Sequence, residues 1–492
     1  MRFRLFAHHT RPVLPRPLLL AASAAAFGLS LSVASCHADR DVTQPADYLA
    51  ADPDEALSGG TTTLFDDTRN AFNHGLPGMS DAGRDQFATG NAFFRDAWVI
   101  APASTTARDG LGPFFNATSC ASCHQLDGRG RPPLPGEPGL TSMLVRLSVP
   151  GQNAHGGPAP DPTYGDQLAN GGIPGVAAEG DVTITYTEEA GTYPDGTRYS
   201  LRRPAYALTN LAYGAAAGTA MLSPRVAPQM AGMGLLEAIP EATLVAGADP
   251  YDLNGDGISG RPNYVWDEGS AGRAIGRFGW KANQPTVRQQ VAGAFSGDMG
   301  ITSSLFPTEN CTSPQLDCQR APTGNTSAQE PYELQPIILQ KVAYYSATLA
   351  VPGRRRWQDA AVVRGKQLFV RLNCSGCHWP KVQTGASALE PALSYQTIRP
   401  YTDLLLHDMG PALADNRPDF EATGQEWRTP PLWGIGLFQV VNRHTLYLHD
   451  GRARNLEEAV LWHGGEAQRA RDAFTQLPAA DRAAVIRFLN SL

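Results

Sequence analysis

Cys374-Ser375-Gly376-Cys377-His378 sets two thiols and an imidazole within five consecutive residues, and Cys120-Ala121-Ser122-Cys123-His124 repeats the pattern 254 positions earlier. C-x-x-C-H is the attachment pattern of a c-type haem. The thiols add across the vinyl groups of the porphyrin, and the adjoining histidine reaches the iron from one side. This reading makes Cys120, Cys123, His124, Cys374, Cys377 and His378 the residues that hold two covalent haems, with His124 and His378 as iron ligands. A C-x-x-C pair also occurs as half of a zinc site or as a dithiol redox pair. Zinc pairs usually lie closer together in sequence, and neither alternative needs a histidine after the second cysteine.

The second axial ligand decides what such a haem does. Two protein ligands make an electron carrier, whereas an open face can bind peroxide or oxygen. Downstream of His378 stand His407, Met409, His444, His449 and His463. Close downstream of His124 there is none: His155 lies 31 residues on in a Gly/Pro-rich loop, and His74 lies well upstream. The first haem therefore reads as the open one. Cleaving peroxide there needs an acid–base group, for which Glu237 is the candidate, and a cation for developing negative charge, for which Arg202 or Arg203 is suited. Each of the three also suits a plain salt bridge. Trp98 and Trp280 could relay electrons or fill the core.

Two further constellations carry chemistry. Asp252-Leu-Asn254-Gly-Asp256-Gly257-Ile258 presents oxygens at Asp252, Asn254, Asp256 and the Ile258 carbonyl in the pattern that opens a calcium loop, with Asn263 where a closing glutamate is expected. The competing reading is an Asx-rich turn satisfied by its own backbone. Cys311 and Cys318 bracket a short polar loop and predict a disulfide in an oxidising compartment.

The elements that position these groups are less sharply written. With 492 residues the chain can form two or three domains. Its net charge of −7, without a basic patch, argues against nucleic acid and for small-molecule and redox-protein partners. Fifty glycines and 39 prolines predict long ordered loops. Residues 1–36 read as a lipoprotein signal peptide: Arg2, Arg4 and Arg11, then the apolar run Leu18–Leu31, then Val33-Ala34-Ser35-Cys36, with Cys36 as the acylated residue. That predicts a periplasmic, membrane-anchored lipoprotein of a Gram-negative bacterium; cleavage near Ala34 would release a soluble product instead. Residues 37–60 read as a tether, 61–344 as a first haem domain with inserted loops, and 345–492 as a C-terminal cytochrome c domain. Helical periodicity marks Thr61–Asn73, Asp81–Trp98, Asp359–Leu372 and Asp481–Leu492. Residues 128–165 read as loop, and Val182–Thr187 with Pro194-Asp195-Gly196 as a short hairpin. The expected fold is mainly α: two cytochrome c-like haem domains with long Gly/Pro-rich loops and a small β insertion in the first.

Tyr447-Leu-His449-Asp-Gly continuing to Leu456-Glu-Glu-Ala-Val460 resembles a segment of the bacterial di-haem cytochrome c peroxidases. In that family the sixth ligand of the carboxy-terminal haem, usually methionine, lies fourteen residues after the turn histidine. Here that position is His463, so the resemblance implies a bis-histidine second haem, with His407 as the other candidate ligand or a pocket-lining residue. Gly112-Pro-Phe-Phe-Asn-Ala-Thr-Ser-Cys120, Gly234-Leu-Leu-Glu-Ala-Ile-Pro240, Asp256-Gly-Ile-Ser-Gly-Arg261, Gly276-Arg-Phe-Gly-Trp-Lys-Ala-Asn-Gln-Pro285, Tyr401–Gly410 and Arg428-Thr-Pro-Pro-Leu-Trp-Gly434 together resemble the bacterial "di-haem oxidoreductase, putative peroxidase" family. Some descriptions of that family name it a thiol oxidoreductase. The resemblance implies reduction of hydrogen peroxide at the first haem, with electrons relayed through the second from a small redox protein such as a c-type cytochrome or a cupredoxin. The alternatives are a di-haem electron carrier without an open site, and an oxygenase or protein-modifying oxidase using high-valent haem.

Overall fold

Ser80 begins the first long helix, α1 (Asp81–Arg95): its hydroxyl accepts from the Gly83 amide at 3.0 Å, and Asp81 follows in the positively polarised first turn. Similar end signals set four more helices. Thr286 caps α2 (Val287–Met299), which stops at Gly300 in a left-handed conformation. Pro336 opens α3 (Pro336–Ala347), Asp359 caps α4 (Ala360–Arg371), and Pro478 precedes α5 (Ala479–Ser491). The computed structural model describes residues 49–134, 137, 139–140, 142–324 and 331–492. The predicted signal segment and Cys36 lie outside the described residues, as does the first half of the predicted tether.

The helices pair by crossing. In α1 against α3, Gly90 lies so close that a Cβ would overlap the Lys341 carbonyl oxygen. In α4 against α5, Gly365 does the same beneath the Ala484 carbonyl. One apolar cluster gathers Phe94, Trp98, Phe295, Leu339 and Val342 around the first pair, and a second gathers Phe369, Tyr401, Phe438 and Phe488 around the other.

The expectation of a mainly α protein is corrected here. Helix accounts for 29% and strand for 18%, in several small sheets, so the class is mixed α/β. Strand β1 (Met143–Gln152) runs through the stretch expected to be loop. The hairpin of β2 (Asp181–Thr192) and β3 (Arg198–Thr209) pairs twelve residues on each side, double the alternating run visible in Val182–Thr187. Strand β4 (Met221–Val226) pairs antiparallel with β1 from Met143↔Val226 to Ser148↔Met221. Met143, Val145, Leu147 and Val226 of this pair meet Trp280 and Trp427 in a third cluster. Sequence reading missed β1 and β4 and saw only part of the hairpin, because β3 contains Pro204 and little β-branched character. A two-stranded ribbon tolerates proline at an edge position, and its stability comes from docking rather than propensity.

The helix expected over Thr61–Asn73 is also absent. A short 3-10 turn (Gly60–Thr62) leads into Thr63–Leu64, which pairs in parallel with Val351–Pro352. Before it, Glu55 is buried in ion pairs with both Arg354 and Lys366 of α4. The described residues, from 49 onward, pack as one unit. Among the described residues no helix is long and apolar enough to cross a membrane.

Candidate functional site

The two C-x-x-C-H motifs have the same local construction. Cys120–Cys123 form a single helical turn reached through the Gly110–Thr118 segment, and Cys374–Gly376 form a 3-10 turn directly after α4. Each motif histidine then donates its Nδ1–H to a distant backbone carbonyl: His124 to Pro228 at 2.8 Å, His378 to Tyr401 at 2.9 Å. A carbonyl only accepts, so this bond fixes the tautomer and turns the Nε2 lone pair outward as a ligand. Burial lowers both imidazoles to about 4, which keeps them neutral and available to a metal.

The thiols are pushed the other way. Burial raises Cys123 and Cys374 to about 12, and Cys120 and Cys377 also rise. Beside the first pair, the Asp298 carboxylate adds to the effect. Neutral thiols of this kind are poor nucleophiles for disulfide exchange. Among the described residues no three His, Cys, Asp or Glu side chains converge in a way that could hold a metal ion.

Behind the second motif lies a cavity of about 400 Å³. Cys374, Cys377 and His378 line one part of it, and His463 lines another. His463 donates its Nδ1–H to Ala459 at 2.7 Å, one helical turn back at the end of Leu456–Leu461. Its Nε2 is thereby presented in the same way as those of the motif histidines, and burial lowers its pKa. Phe369, Leu432 and Leu456 help make the walls apolar.

His407 also lines the cavity, but both its nitrogens are engaged: Nε2 with Asp403 at 2.8 Å and Nδ1 with Glu466 at 2.7 Å. Burial works to lower its pKa, but the adjoining Cys377 sulfur and the Asp403 carboxylate raise it well above the usual value. With both ring nitrogens on carboxylates, His407 lines the pocket in this structure. Of the remaining described histidines, His449 also lines the cavity, while His74, His155 and His444 do not. His74 pairs with Asp66, and the exposed His155 stacks on Trp266. His444 bonds the Arg129 carbonyl and the Leu446 amide, and His449 lies flat on Trp427 with ring centroids 3.7 Å apart.

The predicted catalytic residues have structural partners. Glu237 accepts from the Val287 amide at 2.6 Å and so caps α2; burial raises its pKa. Arg202 and Arg203 sit on β3 and dock the hairpin onto the C-terminal segment. Arg202 donates to the Arg452 and Gly451 carbonyls, while Arg203 pairs with Glu189 and lies over Trp462. Trp98 is buried against Phe295 near the first motif, and Trp280 lines the second cavity with its indole N–H on the Val226 carbonyl.

In the Asp252–Ile258 loop the side-chain oxygens serve the loop itself. Asp252 accepts from Gly257 N, Asn254 from Asp256 N, and Asp256 from Ile258 N. Asn263 is fully buried and bonds Lys281 and Asp419 carbonyls, so it does not close the loop. Ile258 instead packs against Gly376 of the second motif. Cys311 and Cys318 are bonded, with Cα atoms 5.7 Å apart.

Residues 53–492 match the family described as "Di-haem oxidoreductase, putative peroxidase". The chain belongs to this di-haem oxidoreductase family. A search of curated proteins finds no match. A chain of Kuenenia stuttgartiensis hydrazine synthase, solved under xenon pressure, is similar over 82% of this chain and 92% of its own, at 13% identity and a TM-score of 0.33. A likeness that loose carries no argument about the site. The oxidoreductase thus takes two haems, and its donors fit them: carbonyl-anchored neutral imidazoles, paired thiols and an apolar cavity. Sequence reading missed the Pro228 and Tyr401 carbonyls, the Asp403–His407–Glu466 clamp and Asp298. None of these carries a local motif; each is brought in by the fold.

Proposed function

We propose that this di-haem oxidoreductase carries both cofactors as covalent haem c and reduces hydrogen peroxide at the first motif. Electrons enter at the second from a small redox protein, a c-type cytochrome or a cupredoxin. One peroxide takes two electrons and two protons and leaves as two waters. When bound, each haem supplies a redox-active iron, and an iron with a free coordination position can take up peroxide.

The division of labour rests on one observation. Three histidines besides His378 line the cavity: His463 presents its Nε2, His407 has both nitrogens on carboxylates, and His449 lies flat against Trp427 beside Asp450. A pair of imidazoles suits the second haem to electron transfer, and among the described residues no further histidine is presented beside His124. Covalent attachment is supported by paired cysteines whose thiols are unsuited to exchange. Export to the periplasm, with an acylated Cys36 as anchor, is supported by the leader pattern of residues 1–36 and by the Cys311–Cys318 bridge, a bond that persists in oxidising compartments.

The test uses the protein matured in a host that makes c-type cytochromes. Its ferric electron paramagnetic resonance spectrum is expected to show one high-spin and one low-spin haem, with only the first shifted by cyanide. Reduced cytochrome should then be oxidised when peroxide is added. Two low-spin haems indifferent to cyanide would make the protein an electron carrier. A denaturing gel without haem stain would remove covalent attachment.

A further inference from the structure

We propose that Arg129 and Arg428 hold the two propionates of the second haem, so that the chain leaving the first motif grips the cofactor of the other. This rests on the di-haem reading of the second cavity and deepens it.

A haem is amphipathic. Its vinyl edge goes to the thiols and its ring to apolar walls, but its other edge carries two carboxylates that need cations once out of water. The cavity supplies the first two features at Cys374, Cys377 and its apolar lining. Several guanidinium groups also line it, and among these Arg129 and Arg428 are buried, at 5% and 7% exposure. Neither forms an ion pair with a carboxylate among the described residues. Arg129 donates Nε to the Leu446 carbonyl at 2.9 Å and Nη2 to the Leu448 carbonyl. Arg428 donates Nε to Gly279 O at 2.8 Å and Nη1 to Thr429 O at 3.2 Å.

Those carbonyls aim the guanidinium planes without neutralising them. Arg129 Nη1 and Arg428 Nη2 remain as donors with no protein partner among the described residues. Both residues adjoin Trp280: the Arg129 guanidinium lies 5.2 Å from its ring centroid, and the Arg428 main-chain amide donates to its carbonyl at 2.9 Å. Two buried cations on one wall of an apolar cavity are costly unless an anion joins them. A molecule with two carboxylates on one edge and a hydrophobic body matches that wall.

Arg129 lies five residues after His124, and its neighbours fasten the connection: Asn442 donates to the Gln125 carbonyl and accepts from the Arg129 amide. Arg129 is thus a positioning residue between the sites. By offsetting propionate charge it favours the reduced iron, so its loss should lower the potential of the second haem.

The experiment compares Arg129→Gln, Arg428→Gln and the two lysine variants in the full-length haem-loaded protein. The readouts are haem stain, spectroelectrochemical midpoints of both haems, and propionate bending bands in resonance Raman spectra. Expected are retained haem stain, a negative shift of the low-spin haem's midpoint, moved propionate bands and partial restoration by lysine. Unchanged midpoints and bands in both glutamine variants would overturn the proposal. If Arg129→Gln fails to accumulate because the Leu446–Leu448 turn loosens, Arg428→Gln decides by the same readouts. A parent protein without haem stain would instead bring down the di-haem c reading itself.

Discussion

Three imidazoles make the same bond. His124, His378 and His463 each give Nδ1–H to a main-chain oxygen, and each therefore offers Nε2 as a metal ligand. His463→Met should raise the midpoint potential of the second haem, because a thioether favours reduced iron; spectroelectrochemistry checks it. His463→Gly should let cyanide bind both haems instead of one. If His463 does not ligate, neither property moves. A second residue-scale prediction concerns Glu179, which is buried and accepts from the Ala169 amide and the Gln315 side chain. Burial raises its pKa from 4.5 to about 8. The folded state then holds this proton more tightly than the unfolded chain between those two values. Its stabilising contribution is complete below pH 4.5 and is lost as pH rises through about 8. Glu179→Gln should flatten that part of the stability–pH curve by on the order of 2 kcal/mol, since each pKa unit is worth about 1.4 kcal/mol and relaxation recovers some. Thermal melts from acid to mildly alkaline pH measure it.

At the scale of elements, each motif lies beside a pair of crossed helices, and each crossing needs a glycine. Gly365→Ala would drive a methyl group into the Ala484 carbonyl, where α4 meets α5. Overpacking of this kind costs about 1–3 kcal/mol. The expected outcome is a lower denaturation midpoint in urea and weaker haem loading at Cys374 than at Cys120, read by peptide mapping of the haem-bearing segments. Three of the five long helices were legible, α1, α4 and α5, from apolar spacing and start signals such as Asp359 and Pro478, whereas α2 and α3 were not read. Strands β2 and β3 were half legible. Their far ends are held by partners remote in sequence, among them Tyr206 on Asp450 at 2.9 Å and Arg482 on Asp195 at 2.7 Å. No window of local sequence contains such a pair.

Across the whole molecule, the first described residues secure the last. Glu55 lies between Arg354 and Lys366, all three buried, joining the start of the fold to α4 and so to the second motif. Glu55→Ala should destabilise the protein by about 3–5 kcal/mol, because two buried cations lose the carboxylate they share. Urea denaturation followed by tryptophan fluorescence would show it, and an unchanged midpoint would mean that water already compensates these charges. The segment read as a tether therefore contributes to the fold from Glu55 onward. The reading of two mainly helical haem domains gave way to a mixed fold for a related reason: small sheets and loop packing join regions that periodicity treats separately.

Local pattern is what proposes where the two haems attach, since C-x-x-C-H puts two thiols and an imidazole within five residues. It also determined the disulfide pair and the starts of α1, α4 and α5, all matters of neighbouring residues. Only the tertiary structure decided which histidine faces His378, which carbonyls orient the imidazoles, and that Glu237 caps a helix. The physical reason is range. A motif encodes contacts along the chain, whereas Pro228 reaches His124 across 104 positions and Arg129 reaches Leu446 across 317, which only folding brings together.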